Sequence, residues 1–158
     1  GATSLRPGAD NVRSLGTAAA RWTQLFAATG TIATSDRAAK EEIGAIPEDW
    51  IDAWAGVSWR RYRFTGGRRW HAGLVAQEVS EAFAAVGLDA TAIGLICRDA
   101  DEAGQPIWGL RYDECFAMEA AWQRRELARL GDAVAALKAR RQRRGATPKP
   151  SGESEIIT

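Results

Sequence analysis

The stretch "GLRYDECFAMEAAWQRRELARLGDAVAALKARRQRR", residues 109–144, decides the architecture. Phe116, Ala120, Gln123, Leu127, Leu130, Val134 and Leu137 follow one another at alternating spacings of four and three, the a/d seam of a coiled coil. A helix with that seam cannot leave it in water, so the spacing predicts self-association. Three heptads are short, and Gly131 weakens the middle by about 1 kcal/mol relative to Ala. Association therefore has to draw on the rest of the chain as well. Arg141 falls at the next a position, where the seam ends.

The rest of the chain reads outward from that helix. "AIGLICRD" and "PIWGLRYDE" are two short strands joined by the polar turn "ADEAGQ", and "SEAFAAVG" is helical with Gly87 as its C-cap. Val57 to Phe64 alternates as a strand, followed by a turn at "TGGRR". "SDRAAKEEIGAI", residues 35–46, is helix-competent, with Ser35 or Asp36 as cap, Glu41 and Glu42 early, and Pro47 to close it. Residues 1–34 are rich in Gly, Ala, Thr and Ser; only Leu15, Trp22, Leu25, Phe26 and Ile32 could anchor them, so they read as a β-rich connector of a longer protein. The expected organisation is a connector (1–34), a small mixed α/β body (35–114), a coiled-coil helix (115–142) and a basic, polar, disordered tail (143–158). The fold class is α+β.

Composition narrows the partners. Lys and Arg number 21 against 20 Asp and Glu, so the net charge of +1 gives no general reason for nucleic acid or an anionic membrane to bind. The two cysteines, Cys97 and Cys115, lie far apart with no metal-binding spacing, so neither a metal, a cofactor nor a disulfide framework is expected. No apolar run reaches the ~20 residues of a membrane-spanning helix. Seven tryptophans point to large aromatic anchors in a core or an interface.

Three polar clusters could carry chemistry. Ser35 and Lys40 form a Ser-x-x-x-x-Lys pair, in which a neutral amine would take the serine's proton. At the ordinary lysine pKa of ~10.4 only about one amine in a few thousand is neutral at pH 7, so such a base needs burial or a nearby cation. Arg37 could serve, but Glu41 and Glu42 would oppose it. Read alone, the pair is a helix cap beside a solvated lysine. His71 is the single histidine; it reads as a ring beside Trp70 bonded to backbone, or as a donor to a reacting carbonyl. Gly73 permits close backbone approach, with Gln77 and Glu78 a helical turn on. Arg111 to Glu114 reads as a buried arginine paired with Asp113 or Glu114, with Tyr112 packed at the start of the long helix. Arg60, Arg61, Arg63, Arg68 and Arg69 among aromatic residues raise an anion-binding alternative, disfavoured because strands joined by a turn expose such charges routinely.

Taken in order, "TSDRAAKEEI", an aromatic strand, "HAGLVAQEV" and "GLRYDECFAMEAA" running into a coiled coil closely resemble the C-terminal intramolecular chaperone domain of phage tail spikes and tail fibres, the peptidase S74 or endosialidase-type chaperone family. The likeness spans residues 31 to 137, and "DNVRSLGTAAARWTQLFAATG" is similar to the stalk that precedes such domains. The resemblance implies a homotrimer that helps upstream fibre domains of the same chain to fold in the host cytoplasm, and then cuts itself free between Thr34 and Ser35. It implies Ser35 and Lys40 as the catalytic dyad, with His71, Gly73, Gln77 and Asp36 as supporting or oxyanion candidates. Ala39 stands where the family usually carries a larger side chain. A non-cleaving trimerisation module of the same shape is the alternative, in which serine and lysine only cap and solvate.

Overall fold

The structure is a computed structural model that describes residues 4–28 and 35–145. Thr34, Ile32 and the tail beyond 145 lie outside the described residues. After a single 3-10 turn, Arg37–Ala39, the body runs α1 (Glu48–Trp54), β1 (Arg60–Tyr62), β2 (His71–Gly73), α2 (Ala76–Ala84), β3 (Ile96–Ala100), β4 (Pro106–Leu110) and α3 (Tyr112–Gly145). Two antiparallel hairpins result, β1 with β2 and β3 with β4, so the α+β reading of the body holds.

Local chemistry explains most of these elements. Pro47 sets the extended entry to α1, and Glu48 and Asp49 in its first turn complement the helix dipole. Gly87, at φ +79°, lets the chain leave α2 in the left-handed region. The β3–β4 turn closes on Asp101, whose Oδ1 accepts from the amides of Ala103 (2.9 Å) and Gln105 (2.7 Å). The register pairs Ile96 with Leu110 and Ala100 with Pro106.

Two readings are corrected. Residues 35–46 form no α-helix: only the 3-10 turn is present, and every residue from Ser35 to Asp49 is exposed. Ile43 and Ile46 are the only large apolar side chains there, so no apolar stripe exists to hold a helix against the body. The helix begins instead at Glu48, where Ile51 and Trp54 reach the core. Residues 4–28 contain turns and bends but no strand, so the β-rich reading of 1–34 is not met in the described part. Leu5, Leu25 and Phe26 are exposed there, and a segment without a neighbouring strand has no ladder to join.

The core is small and centred on α1, α2, β3 and the first turns of α3. Trp54, Val79, Phe83, Leu95, Ile96 and Cys115 are fully buried, joined by Leu74, Ala90 and Met118. Each large side chain contributes about 1.5–3 kcal/mol by leaving water. Burial beside Glu114 pushes the Cys115 thiol up to about 11, so it sits in the core as an apolar group.

Polar bonds fix α3 on this core. Glu119 Oε2 accepts from the indole N–H of Trp54 (2.9 Å) and of Trp59 (3.3 Å), while its Oε1 accepts from Gln123 (2.7 Å). Arg125 reaches back to α1, donating to Asp52 (2.7 Å) and Glu48 (3.1 Å). Beyond that the helix leaves the body, about 50 Å long in all at 1.5 Å per residue. Of the expected seam, Phe116, Ala120, Leu127, Leu130, Val134 and Leu137 are all exposed, Leu127 by 67% and Leu130 by 62%.

Burial pushes the Glu119 pKa up, but the bonds from Trp54, Gln123 and Trp59 outweigh it and hold the carboxyl below its ordinary value. A lowered folded-state pKa stabilises the protein above the unfolded carboxyl pKa, and that gain is lost as pH falls through the folded value. Glu119→Gln is expected to lower stability at pH 7 by about 1–3 kcal/mol in denaturant melts. The gap to the parent should narrow in acid below about pH 4; a constant gap would show that the carboxylate charge is not what matters.

Candidate functional site

The expected dyad is present as a contact. Asp36 caps the 3-10 turn, its Oδ1 accepting from the Ala38 amide at 2.9 Å, and the Lys40 amide donates to the Arg37 carbonyl at 3.1 Å. That single turn folds the chain back on itself and sets Lys40 Nζ 2.6 Å from Ser35 Oγ. Asp36, not Ser35, is the cap, which leaves the serine hydroxyl to the lysine. Just downstream Glu42 sits at φ +51°, a left-handed conformation that costs a non-glycine residue on the order of 1–3 kcal/mol.

Of the supporting candidates only Asp36 lies in this turn; His71, Gly73 and Gln77 belong to β2 and α2. His71 stacks on Tyr62 (ring centroids 5.6 Å) and meets the edge of Phe64 (5.0 Å), and its ring nitrogens face Arg69 at 3.3 and 3.5 Å. It packs on Tyr62 rather than beside Trp70, and its bonds run to a side chain rather than to backbone. Gly73 is buried where a Cβ would lie 2.5 Å from the Tyr112 hydroxyl and 3.3 Å from that of Tyr62. Gln77 is exposed at the rim of an open groove of about 550 Å³ between β1, the start of α2 and β4, lined also by Tyr62, Phe64, Leu74, Trp108 and Tyr112. No hydrogen bond among the described residues joins Ser35 or Lys40 to His71, Gly73 or Gln77. One chain thus holds the dyad and the other candidates as two separate groups.

Sequence reasoning missed the residue that organises the second group. Tyr112 at the start of α3 accepts from the Leu74 amide at 3.1 Å and lies beside Tyr62, whose pKa is raised by burial and by this neighbour. The "GLRYDE" run placed Tyr112 correctly at the helix start but gave no sign of its partner 38 residues earlier. Arg111 is also corrected: it is exposed, and its guanidinium donates to the carbonyls of Gly94 (3.0 Å) and Ile96 (3.2 Å), not to Asp113 or Glu114. Those carbonyls sit at the start of β3, so Arg111 fastens the β3–β4 hairpin where α3 begins.

Comparison with known proteins adds a family. Residues 35–88 match the family model described as chaperone of endosialidase, Peptidase S74, and the match begins at Ser35. Residues 35–88 carry a chaperone-of-endosialidase domain. The chain is 31% identical over 160 residues to the tail spike protein of Escherichia virus K5, covering 87% of this chain and 25% of that protein. In structure it is similar to the carboxy-terminal domain of the bacteriophage T5 L-shaped tail fibre with its intramolecular chaperone domain, with a TM-score of 0.70 and 26% identity over 84% of this chain and 39% of that one. A crystal structure described as a novel intramolecular chaperone is similar over 60% of this chain and 99% of its own length, with a TM-score of 0.55 and 29% identity. The chain thus spans about a quarter of the K5 tail spike's length. The domain is of the intramolecular-chaperone type found in phage tail fibres and spikes, and among the described residues no helix is long and apolar enough to cross a membrane.

Gly73→Ala is expected to displace Tyr112 and cost about 1–3 kcal/mol, as overpacking does. Gly131→Ala, with open space around it, should instead gain up to about 1 kcal/mol. Thermal melts of the two variants check the pair; an unchanged Gly73→Ala would show that the tyrosine cluster does not hold the turn in place.

Proposed function

We propose that the domain is the intramolecular chaperone of a phage tail fibre or spike, that it assembles three chains, and that it then releases itself by cutting the Thr34–Ser35 bond. The observation that carries the chemistry is the 2.6 Å contact between Lys40 Nζ and Ser35 Oγ. In the proposed reaction Ser35 Oγ attacks the carbonyl carbon of Thr34 and its proton passes to the Lys40 amine. The C–N bond breaks, the Ser35 nitrogen takes a proton back, and an ester links Thr34 to Ser35 Oγ. Water hydrolyses the ester to the Thr34 carboxylate and the free hydroxyl. Amide-to-ester exchange is uphill, so the site must strain the link or stabilise the oxyanion. His71 and the Gly73 amide are the proposed donors, brought up by assembly.

Trimerisation rests on the exposed seam of α3 together with the family. Leu127, Leu130, Val134 and Leu137 form one apolar row that a single chain leaves in water. Three copies bury that row as a coiled coil, with the upstream fibre domains of the same chains as the folding clients. Cutting only after assembly would leave the fibre held by its unfolding barrier, since the chaperone that guided it is gone. The expected setting is a virion fibre precursor in the host cytoplasm.

The second reading, an assembly module that stays attached, is favoured by the exposure of every residue from Ser35 to Asp49. In a single chain water reaches both side chains freely, and nothing shields the serine and lysine as a closed catalytic site would. The denatured mass of freshly expressed protein separates the two. Fragments 1–34 and 35–158 are expected from the parent and are expected to be absent from Ser35→Ala. Lys40→Ala should slow their appearance by at least a hundredfold. A single intact mass for the parent over hours would leave the attached module; normal cutting by Lys40→Ala would overturn the proposed base.

A further inference from the structure

The β1–β2 hairpin presents a second feature that neither the core nor the dyad uses. Arg61 in β1 and Arg63 just beyond its end flank Tyr62, and both guanidiniums stack on the ring of Trp70, each 4.8 Å from its centroid. Trp70 is 57% exposed, and Arg68 stands in the adjoining turn. Among the described residues no carboxylate pairs with Arg61, Arg63 or Arg68, although Arg60 is paired with Glu78. Cations held on an aromatic plate are aligned and only weakly hydrated, a suitable surface for carboxylates.

The same chain carries the complementary surface. The segment from Glu41 to Ile46 is acidic, exposed and free of regular structure. Glu41 and Glu42 have no ion-pair partner among the described residues, and Ile43 is 58% exposed. Glu42 holds a left-handed backbone while its side chain is exposed. A strap with unpaired carboxylates and an exposed isoleucine matches a face with unpaired guanidiniums around a partly exposed tryptophan.

We propose that in the assembled protein the Glu41–Ile46 strap of one copy docks on the Arg61–Trp70–Arg63 face of a neighbouring copy. Glu41 and Glu42 pair with the arginines, and Ile43 covers the Trp70 ring. The contact closes a ring of strap-to-hairpin interactions around the α3 bundle and anchors the segment that carries Ser35 and Lys40. It thereby makes the position of the dyad depend on a neighbour. This inference rests on the oligomer proposed above.

The test uses full-length Ser35→Ala protein carrying Arg61→Lys and Arg63→Lys, prepared as a mixture of ¹⁴N and ¹⁵N chains refolded together. A zero-length carbodiimide couples carboxylates to the new amines, and the linked peptides are mapped by mass. Mixed-isotope links between the Glu41/Glu42 peptide and Lys at 61 or 63 are expected, in near statistical proportion to same-isotope links. Glu41→Gln with Glu42→Gln should abolish them. Same-isotope links alone would place the strap on its own chain's hairpin and overturn the proposal. Absence of links would overturn it as well, and retention of a single-stranded oligonucleotide by the parent protein through Arg61 and Arg63 would then assign the face to nucleic acid. Native mass of the same sample separates the two levels: a single-chain mass overturns the oligomer itself, whereas an oligomer without mixed-isotope links overturns only the strap.

Discussion

The body of this domain depends on one docking event, the seating of the first three turns of α3 against α1. Cys115 and Met118 enter the core beside Trp54, Phe83 and Ile96, and Glu119 receives two indole N–H groups just above them. The polar bonds are directional where the apolar contacts are not, so they fix the rotation of α3 about its axis. Arg125, two turns on, ties the same face to Asp52 and Glu48. Tyr112 at the other end holds the turn that carries Leu74. A helix secured by these contacts along its first four turns is a rigid base for everything that projects from it.

That rigidity creates the demand for partners. With its rotation fixed, α3 leaves Leu127, Leu130, Val134 and Leu137 exposed among the described residues. Phe116 lies on the same row yet already stacks on Trp59 at 5.8 Å, so the seam begins on an aromatic ledge of the body rather than in free helix. Association through such a seam also aligns the bodies around it. In the proposed assembly the exposed Ser35–Lys40 turn of each chain is a surface that a neighbour can cover, which would couple folding to chemistry.

Much of this was legible in the sequence, for physical reasons that differ between elements. The heptad spacing named α3, and the polar turn "ADEAGQ" between two apolar runs named the β3–β4 hairpin, because both patterns reflect burial directly. Gly87 marked the end of α2 for the same kind of local reason. The stretch from Ser35 misled because its residues favour helix one at a time but offer no apolar face to bury. α1 was missed although Pro47, Glu48 and Asp49 signal a helix start and Trp50, Ile51 and Trp54 fall at helical spacing. The Ser35–Lys40 pair stood out through the family resemblance rather than its spacing, which alone pointed to a helix cap, whereas the Tyr62–Gly73–Tyr112 cluster joins three distant segments and left no local trace.

An apolar row on a rotationally fixed helix therefore links the fold to its proposed role. The most direct measurement is sedimentation equilibrium of the intact Ser35→Ala protein at micromolar concentration, in which self-cutting cannot blur the mass. The account predicts a single species of three times the 17.1 kDa chain, and return to the chain mass when Leu127 and Leu130 are both changed to Asp. A parent that sediments as one chain would contradict it.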